Sequence, residues 1–232
     1  KHIDWNFVIC RLLEAISMVF MFAYILHAIY PTPEKWLAKY TIKDTLLDII
    51  EFSPHGGLVA CGSFFLVFHS VQNLFAEVTR FGDRLFYQDW WSQSKHSKWL
   101  TKWNLLVRDW LYCFVYRDFK HYLCDNNSLA IFVVIVLSFA MHEYVMFCFI
   151  GKFIPCFLFL AIVVVFPMFY LNFPKSIFFN VLLWCSSGLM MSATMLMYTF
   201  EHYAMMKAPL KDPTYLELII PRFITCDCVL KF

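Results

Sequence analysis

The sequence predicts an all-α protein: a polytopic transmembrane helical bundle of about five spans, with amphipathic helices between some of them. Three observations carry that expectation. Of the 232 residues 61% are hydrophobic and 16% charged, whereas a soluble domain is roughly 45–50% apolar and ~25% charged. The apolar residues are gathered into long runs, which is the membrane signature. The connections near Gly151-Lys152 and Pro174-Lys175 are so short that the last three runs are expected to form a tight antiparallel set.

The spans are expected near 7–30, 57–76, 128–150, 153–174 and 176–200. Ala15–Tyr30, Gly57–Ala76, Phe153–Pro174 and Ser176–Phe200 contain no Asp, Glu, Lys or Arg, and Ser128–Ile150 contains only Glu143. The first run reaches the ~20 residues a span needs if it begins near Phe7, with Arg11 and Glu14 at the interface. Pro31–Gly56 joins the first two spans and holds a short helical pattern from Thr45 to Ile50, which Ser53-Pro54-His55-Gly56-Gly57 breaks.

The segment 77–127 is too long and too patterned for an idle linker. Eight of the nineteen Lys and Arg lie in it. With five alternating spans its side of the membrane collects eleven of them and the other side eight. By the positive-inside tendency the loop is cytoplasmic and the tail 201–232 lumenal. Within it TKWNLLVRDWLYCFVYRDF reads as one amphipathic helix, with Trp103, Val107, Trp110, Leu111 and Phe114 at helical spacing and Asn104 and Arg108 on another face. FYQDWWSQSKHSKW, Phe86 to Trp99, mixes aromatic rings with acid and base, and by itself suits an interfacial helix lying at the headgroup layer.

His142 is the sharpest candidate for chemistry. It lies two thirds of the way along an apolar run, beside Glu143 and one turn after Ser138. Ionisable groups at membrane depth usually face a bundle interior or a wet cavity, so a buried, neutral imidazole suited to general-base work is expected. The competing reading is a histidine hydrogen-bonded between helices. His69 and Asn73 share a face of the second span, where they either glue helices together or line a passage. Glu77, Arg80, Asp83 and Arg84 suit local ion pairs. The nine Cys form no CxxC pair and no metal-ligand spacing. No basic patch points to nucleic acid. A transporter reading lacks repeats, and a channel reading lacks a filter-like segment.

FYQDWWS resembles the FYxDWWN motif of the sterol and diacylglycerol branch of the membrane-bound O-acyltransferase superfamily. His142-Glu143-Tyr144 resembles that superfamily's catalytic HEY, and Trp103-Asn104 with Asp109-Trp110 resembles its WN…DW helix. RFGDRLFYQDWW and the tail APLKDPTYLELIIPRFITC are similar to the sterol O-acyltransferases in particular. The resemblance implies that residues 1–232 are the C-terminal part of a longer multi-pass enzyme of the endoplasmic reticulum membrane. Its implied substrates are a long-chain acyl-CoA and a cholesterol-like sterol drawn from membrane lipid. It implies acyl-CoA as a co-substrate with no cofactor or metal, and a homodimer or homotetramer.

By the same resemblance His142 is the general base and Asn104 the donor to the thioester oxygen. Phe86, Tyr87, Asp89, Trp90, Trp91, Trp103, Arg108, Ser138 and His69 are the substrate-binding candidates, with Lys95, Lys98 or Arg108 meeting CoA phosphates. Three departures stand out. Ser92 replaces an Asn, Arg108 a His, and Ala208 the Cys that the family pairs in its C-terminal disulfide, so Cys226 is expected to be unpaired, Cys228 being too near for an ordinary bridge. A diacylglycerol or other lipid-alcohol acyltransferase, and a catalytically silent sterol-binding relative, are the alternatives.

Overall fold

Two glycines let the bundle's principal helices touch backbone to backbone. The computed structural model describes residues 2–29, 40–151, 153–210, 220–226, 228 and 230–231. The long helices in chain order are α1 (Trp5–Ile29), α2 (Ile42–Glu51), α3 (Ser53–Val78), α4 (His96–Trp103), α5, α6 (Asn127–Ile150), α7 (Cys156–Tyr170) and α8 (Ile177–Lys207). Helix α5 runs as Leu105–Leu111, a π-turn Tyr112–Tyr116 and Arg117–Tyr122. A Cβ on Gly56 of α3 would stand 2.6 Å from the Gly188 carbonyl oxygen and 2.8 Å from the Ser192 nitrogen of α8. Small residues permit such an approach, and in a membrane close packing is much of what holds helices together.

The helices start where local chemistry supplies a cap. Thr41 and Asp44 form a reciprocal capping box on α2, Asn126 accepts from the Leu129 N–H at 3.1 Å, and Ser176 accepts from the Phe179 N–H at 3.3 Å. They stop as definitely. Arg80 turns left-handed (φ 58°) after α3, and the Phe81 N–H returns to the Ala76 carbonyl at 2.7 Å. Gly151 does the same for α6 with φ 73°.

Among the described residues four helices are long and apolar enough to cross a membrane: Trp5–Ile25, Ser53–Val78, Asn127–Cys148 and Ile177–Lys207. Where a fifth span was expected over 153–174, the structure has the shorter apolar helix α7. Pro155 precedes it, and the chain is extended from Leu171, with Pro174 beyond. At ~1.5 Å per residue α7 is roughly 22 Å long, short of a ~30 Å hydrocarbon layer.

The central helix is α8. It runs antiparallel to α3 and forms an apolar cluster with the tail through Leu196, Phe200, Ala204, Phe223 and Cys226. Its Met190 packs against Ile135, Ala161 and Val165, and its Tyr198 against Ile154 and Cys156.

Two further expectations are corrected, and the all-α expectation holds with one small addition. The amphipathic segment is not one helix: it breaks at Asn104, which is extended (φ −143°, ψ 100°) between α4 and α5. The break lets the backbone of the aromatic loop dock, with Gln88 N–H on the Lys102 carbonyl and Leu105 N–H on the Phe86 carbonyl, both 3.0 Å. Cys226 is bonded to Cys228 rather than unpaired. The all-α architecture also carries one parallel two-residue bridge, Tyr40–Thr41 with Leu230–Lys231. Positions 211–219, the middle of the tail motif, and 30–39 of the first connection lie outside the described residues.

Three stability predictions arise. Gly188→Val forces α3 and α8 apart and is expected to cost about 1–3 kcal/mol by overpacking. Gly57→Val, whose Cβ meets nothing within 4 Å, is expected to leave thermal unfolding in detergent unchanged. His96, at the start of α4, is 6% exposed, and burial lowers its pKa. The unfolded imidazole takes a proton near ~6.5 that the folded loop resists. Stability from this group is therefore complete above about 6.5 and is lost as pH falls below it. His96→Phe is expected to flatten the tryptophan-fluorescence stability profile between about pH 7 and 5.

Candidate active site

The aromatic loop is held first by its own rings. Trp90 is 3% exposed and packs between α3 and α8. Its ring centroid lies 4.7 Å from Phe64 of α3, 5.3 Å from Trp184 of α8, 4.4 Å from Trp103 and 5.4 Å from Trp99. Trp103 stacks on Trp99 at 4.6 Å. Edge-to-face and offset geometries of this kind add to the area these rings bury.

Polar bonds to α8 complete the attachment. The Trp91 carbonyl accepts from Asn180 Nδ2 at 2.7 Å and from Trp184 Nε1 at 3.2 Å. The Ser94 hydroxyl donates to the Ser176 carbonyl at 3.0 Å and accepts from its N–H at 3.2 Å. Asn180 and Trp184 were not singled out from sequence, because their partners lie about ninety residues away and carry no local signal.

The residues proposed from sequence therefore divide. Phe86, Trp90 and Trp103 are packing residues, partly or wholly enclosed, while Tyr87, Asp89 and Trp91 retain exposed surface. Asp89 pairs with Lys102 and accepts from Ser92 at 3.2 Å. The Lys102 hydrogen bond is the chief cause that holds its carboxyl below the usual range. Ser92, in place of the family's Asn, thus serves Asp89. Arg108 folds onto Asp109, with Nε 2.8 Å and Nη2 2.7 Å from the carboxylate. Lys95 donates to Asn172 at 3.2 Å.

Asn104 does two jobs with two ends. Its Oδ1 caps α5 by accepting from the Val107 N–H at 3.1 Å. Its Nδ2 has no acceptor among the described residues, so the amide protons remain available to a ligand.

His142 does not take the buried position expected of it, and its neighbour Glu143 does. His142 is exposed on α6, and Glu143 is 1% exposed. Neighbours on a helix point about 100° apart, so only one of the two can face the interior. The His142 ring lies between Phe139 and Phe157, with centroids 5.8 and 5.9 Å away. Its Nδ1 is 2.7 Å from the Ser138 carbonyl, which can only accept. The proton of the neutral imidazole is thus on Nδ1, and Nε2 carries the lone pair. Ser138 contributes through its backbone.

Glu143 Oε1 accepts from the Tyr198 hydroxyl at 2.6 Å, and Oε2 accepts from the Phe157 N–H at 2.8 Å. The carboxyl joins α6, the start of α7 and α8 at the depth of His142. Leu100, one turn before Asn104, packs against the cluster of Ile135, Ala161 and Val165, which ties α4 to the junction of α6 and α7. Among the described residues the Asn104 and His142 side chains themselves do not bond.

Glu143→Ala orphans the Phe157 N–H and the Tyr198 hydroxyl and is expected to cost about 1–3 kcal/mol for each. Tyr198→Phe is expected to cost about 0.5–1.5 kcal/mol. Thermal unfolding in detergent measures both.

No protein-family model matches the chain. Sterol O-acyltransferase 1 of Mus musculus is 31% identical over 232 residues, covering 98% of this chain and 43% of that protein. Sterol O-acyltransferase 2 of Rattus norvegicus is 33% identical over 233 residues, covering 97% and 44%. Sterol O-acyltransferase 2 of Homo sapiens is 30% identical over 231 residues, with the same coverage. The chain spans less than half the length of the relatives it matches. With the HEY helix, the WN break and the FYQDWW loop all in place, the chain is a relative of the sterol O-acyltransferases.

Proposed function

We propose that the protein transfers a long-chain acyl group from acyl-CoA to the hydroxyl of a sterol, in the membrane of the endoplasmic reticulum. The observation that carries the chemistry is the His142–Ser138 bond. It leaves Nε2 as the one ring nitrogen able to take a proton, which is what a general base requires. In the proposed step His142 Nε2 accepts the sterol hydroxyl proton as the oxygen attacks the thioester carbon. The developing oxyanion accepts a hydrogen bond from Asn104 Nδ2. Collapse breaks the carbon–sulfur bond, and the CoA thiolate recovers the proton from the imidazolium. Neither a cofactor nor an acyl-enzyme is required.

The location of His142 on an apolar helix suits the acceptor. A sterol arrives from the bilayer, and a site at that depth keeps water from the thioester. The long, basic loop that holds Asn104 suits the donor, which is anionic at one end and arrives from the aqueous side. Similarity to proteins named sterol O-acyltransferase supports the sterol as the acceptor over other lipid alcohols.

The test uses the natural full-length protein in membranes from cells without endogenous activity, with labelled oleoyl-CoA and sterol and diacylglycerol in competition. Sterol ester is expected from wild type, with a loss of roughly 10²–10⁴-fold in His142→Ala. Asn104→Ser keeps a competent helix cap and removes the amide. It is expected to fold while losing about 10²–10³-fold in kcat. Triacylglycerol in place of sterol ester would reject the acceptor proposed here. No product at all from well-expressed wild type would reject acyl transfer and leave the sterol-binding reading.

A further inference from the structure

Arg11, Glu14 and His69 meet, half-buried, where α1 faces α3, and no step of the acyl transfer uses them. Expected at the interface, Arg11 and Glu14 instead turn toward α3. Ionisable groups at such a depth are costly and mark function more often than they serve as filler. The π-turn Phe65–Val71 brings the consecutive residues His69 and Ser70 onto α1 together. Arg11 Nη2 lies 2.9 Å from Glu14 Oε1, and the Ser70 hydroxyl donates to Glu14 Oε2 at 3.1 Å. Glu14 thus balances the guanidinium charge.

The other arm of Arg11, Nη1, is hydrogen-bonded to His69 Nε2. A guanidinium can only donate, so Nε2 is the lone-pair nitrogen and the imidazole is neutral. Its single proton is on Nδ1, which bonds the Tyr87 hydroxyl oxygen at 2.6 Å. That oxygen therefore accepts, and the phenol's own proton has no acceptor among the described residues. The sequence of bonds runs in one direction only, from Arg11 through His69 to Tyr87.

Its end is next to the candidate active site. Phe86 and Leu105 are joined by a backbone bond of 3.0 Å, and Tyr87 and Asn104 each adjoin one of that bond's two residues. Burial is the chief influence on the Tyr87 phenol and pushes its pKa up, so it stays protonated at neutral pH.

We propose that Arg11 and His69 are positioning residues that lock Tyr87 as a one-way hydrogen-bond donor to an oxygen of the acyl donor, beside Asn104. The inference rests on the acyl-CoA reading above. Tyr87 touches the substrate, whereas Arg11 and His69 act through it. Loss of the relay weakens the acyl donor's binding and leaves sterol saturation unchanged.

The experiment measures oleoyl-CoA twice in the full-length protein: its KM in membranes at saturating sterol, and its Kd by equilibrium binding to purified protein. Tyr87→Phe, Arg11→Met and His69→Phe are each expected to raise both by about three- to tenfold, the worth of one neutral hydrogen bond, with kcat changed less. Combining Arg11→Met with Tyr87→Phe is expected to be no worse than Tyr87→Phe alone. Arg11→Lys and His69→Gln keep the donor and acceptor pattern and are expected to restore binding. Wild-type KM and Kd in Tyr87→Phe would overturn the proposal. So would an Arg11→Met protein that melts earlier but binds oleoyl-CoA normally, which is the behaviour of a clamp between spans. If wild type binds oleoyl-CoA with these variant effects but acylates no alcohol, the relay stands and the proposed reaction fails. Absence of oleoyl-CoA binding by wild type would overturn both.

Discussion

The contact of α3 with α8 at Gly56 and Gly188 is the constraint on which the rest of the structure depends. With the Gly188 carbonyl almost touching the Gly56 backbone, the two helices are held in direct backbone contact. Further along the pair, the Trp90 indole packs between Phe64 of α3 and Trp184 of α8. Once Trp90 is seated, the carbonyl of Trp91 comes within reach of Asn180 and Trp184. The loop's backbone then meets the break in the following helices at Leu105. A bulkier side chain at either glycine would shift Phe64 relative to Trp184 before it altered anything in the loop.

Economy of polar groups is a second theme. Each candidate for chemistry has one end committed to the fold and the other free. Asn104 spends its oxygen on a helix start and keeps its amide protons. His142 spends Nδ1 on its own helix and keeps Nε2. Such a division fixes orientation, because the committed end sets the rotamer that the free end must follow. It also links function to local folding, since a chain that fails to form the helix start at Leu105 cannot aim the Asn104 amide.

Much of this was legible in the sequence, and what was not has identifiable causes. The long apolar runs located α1, α3, α6 and α8, because burying twenty apolar residues leaves few other outcomes. The shortness of α7 was missed because composition counts apolar residues without asking where Pro155 and Pro174 interrupt them. The break at Asn104 was hidden because apolar periodicity continues across it from Trp103 to Trp110. Arg11 and Glu14 read as interfacial anchors, their usual role when an apolar run is considered alone. Their partners are on α3, fifty-six and fifty-eight residues away. The pair His142-Glu143 was recognised, but periodicity could not say which member faces inward when the whole helix is apolar.

The attachment of the loop to α8 governs the order in which the molecule can be made. Trp91 leaves the ribosome 93 residues before Trp184, an interval of roughly 5–20 s at ordinary rates of synthesis. Throughout it, Trp90 lacks the Trp184 ring it packs on, the Trp91 carbonyl lacks its two donors, and the Ser94 hydroxyl has no Ser176 to bond. The aromatic loop therefore waits, part-formed, until α8 is in place. A pause in translation before α8 would lengthen the exposure of its rings, which makes this stage of biogenesis the natural point for a membrane chaperone to hold the chain.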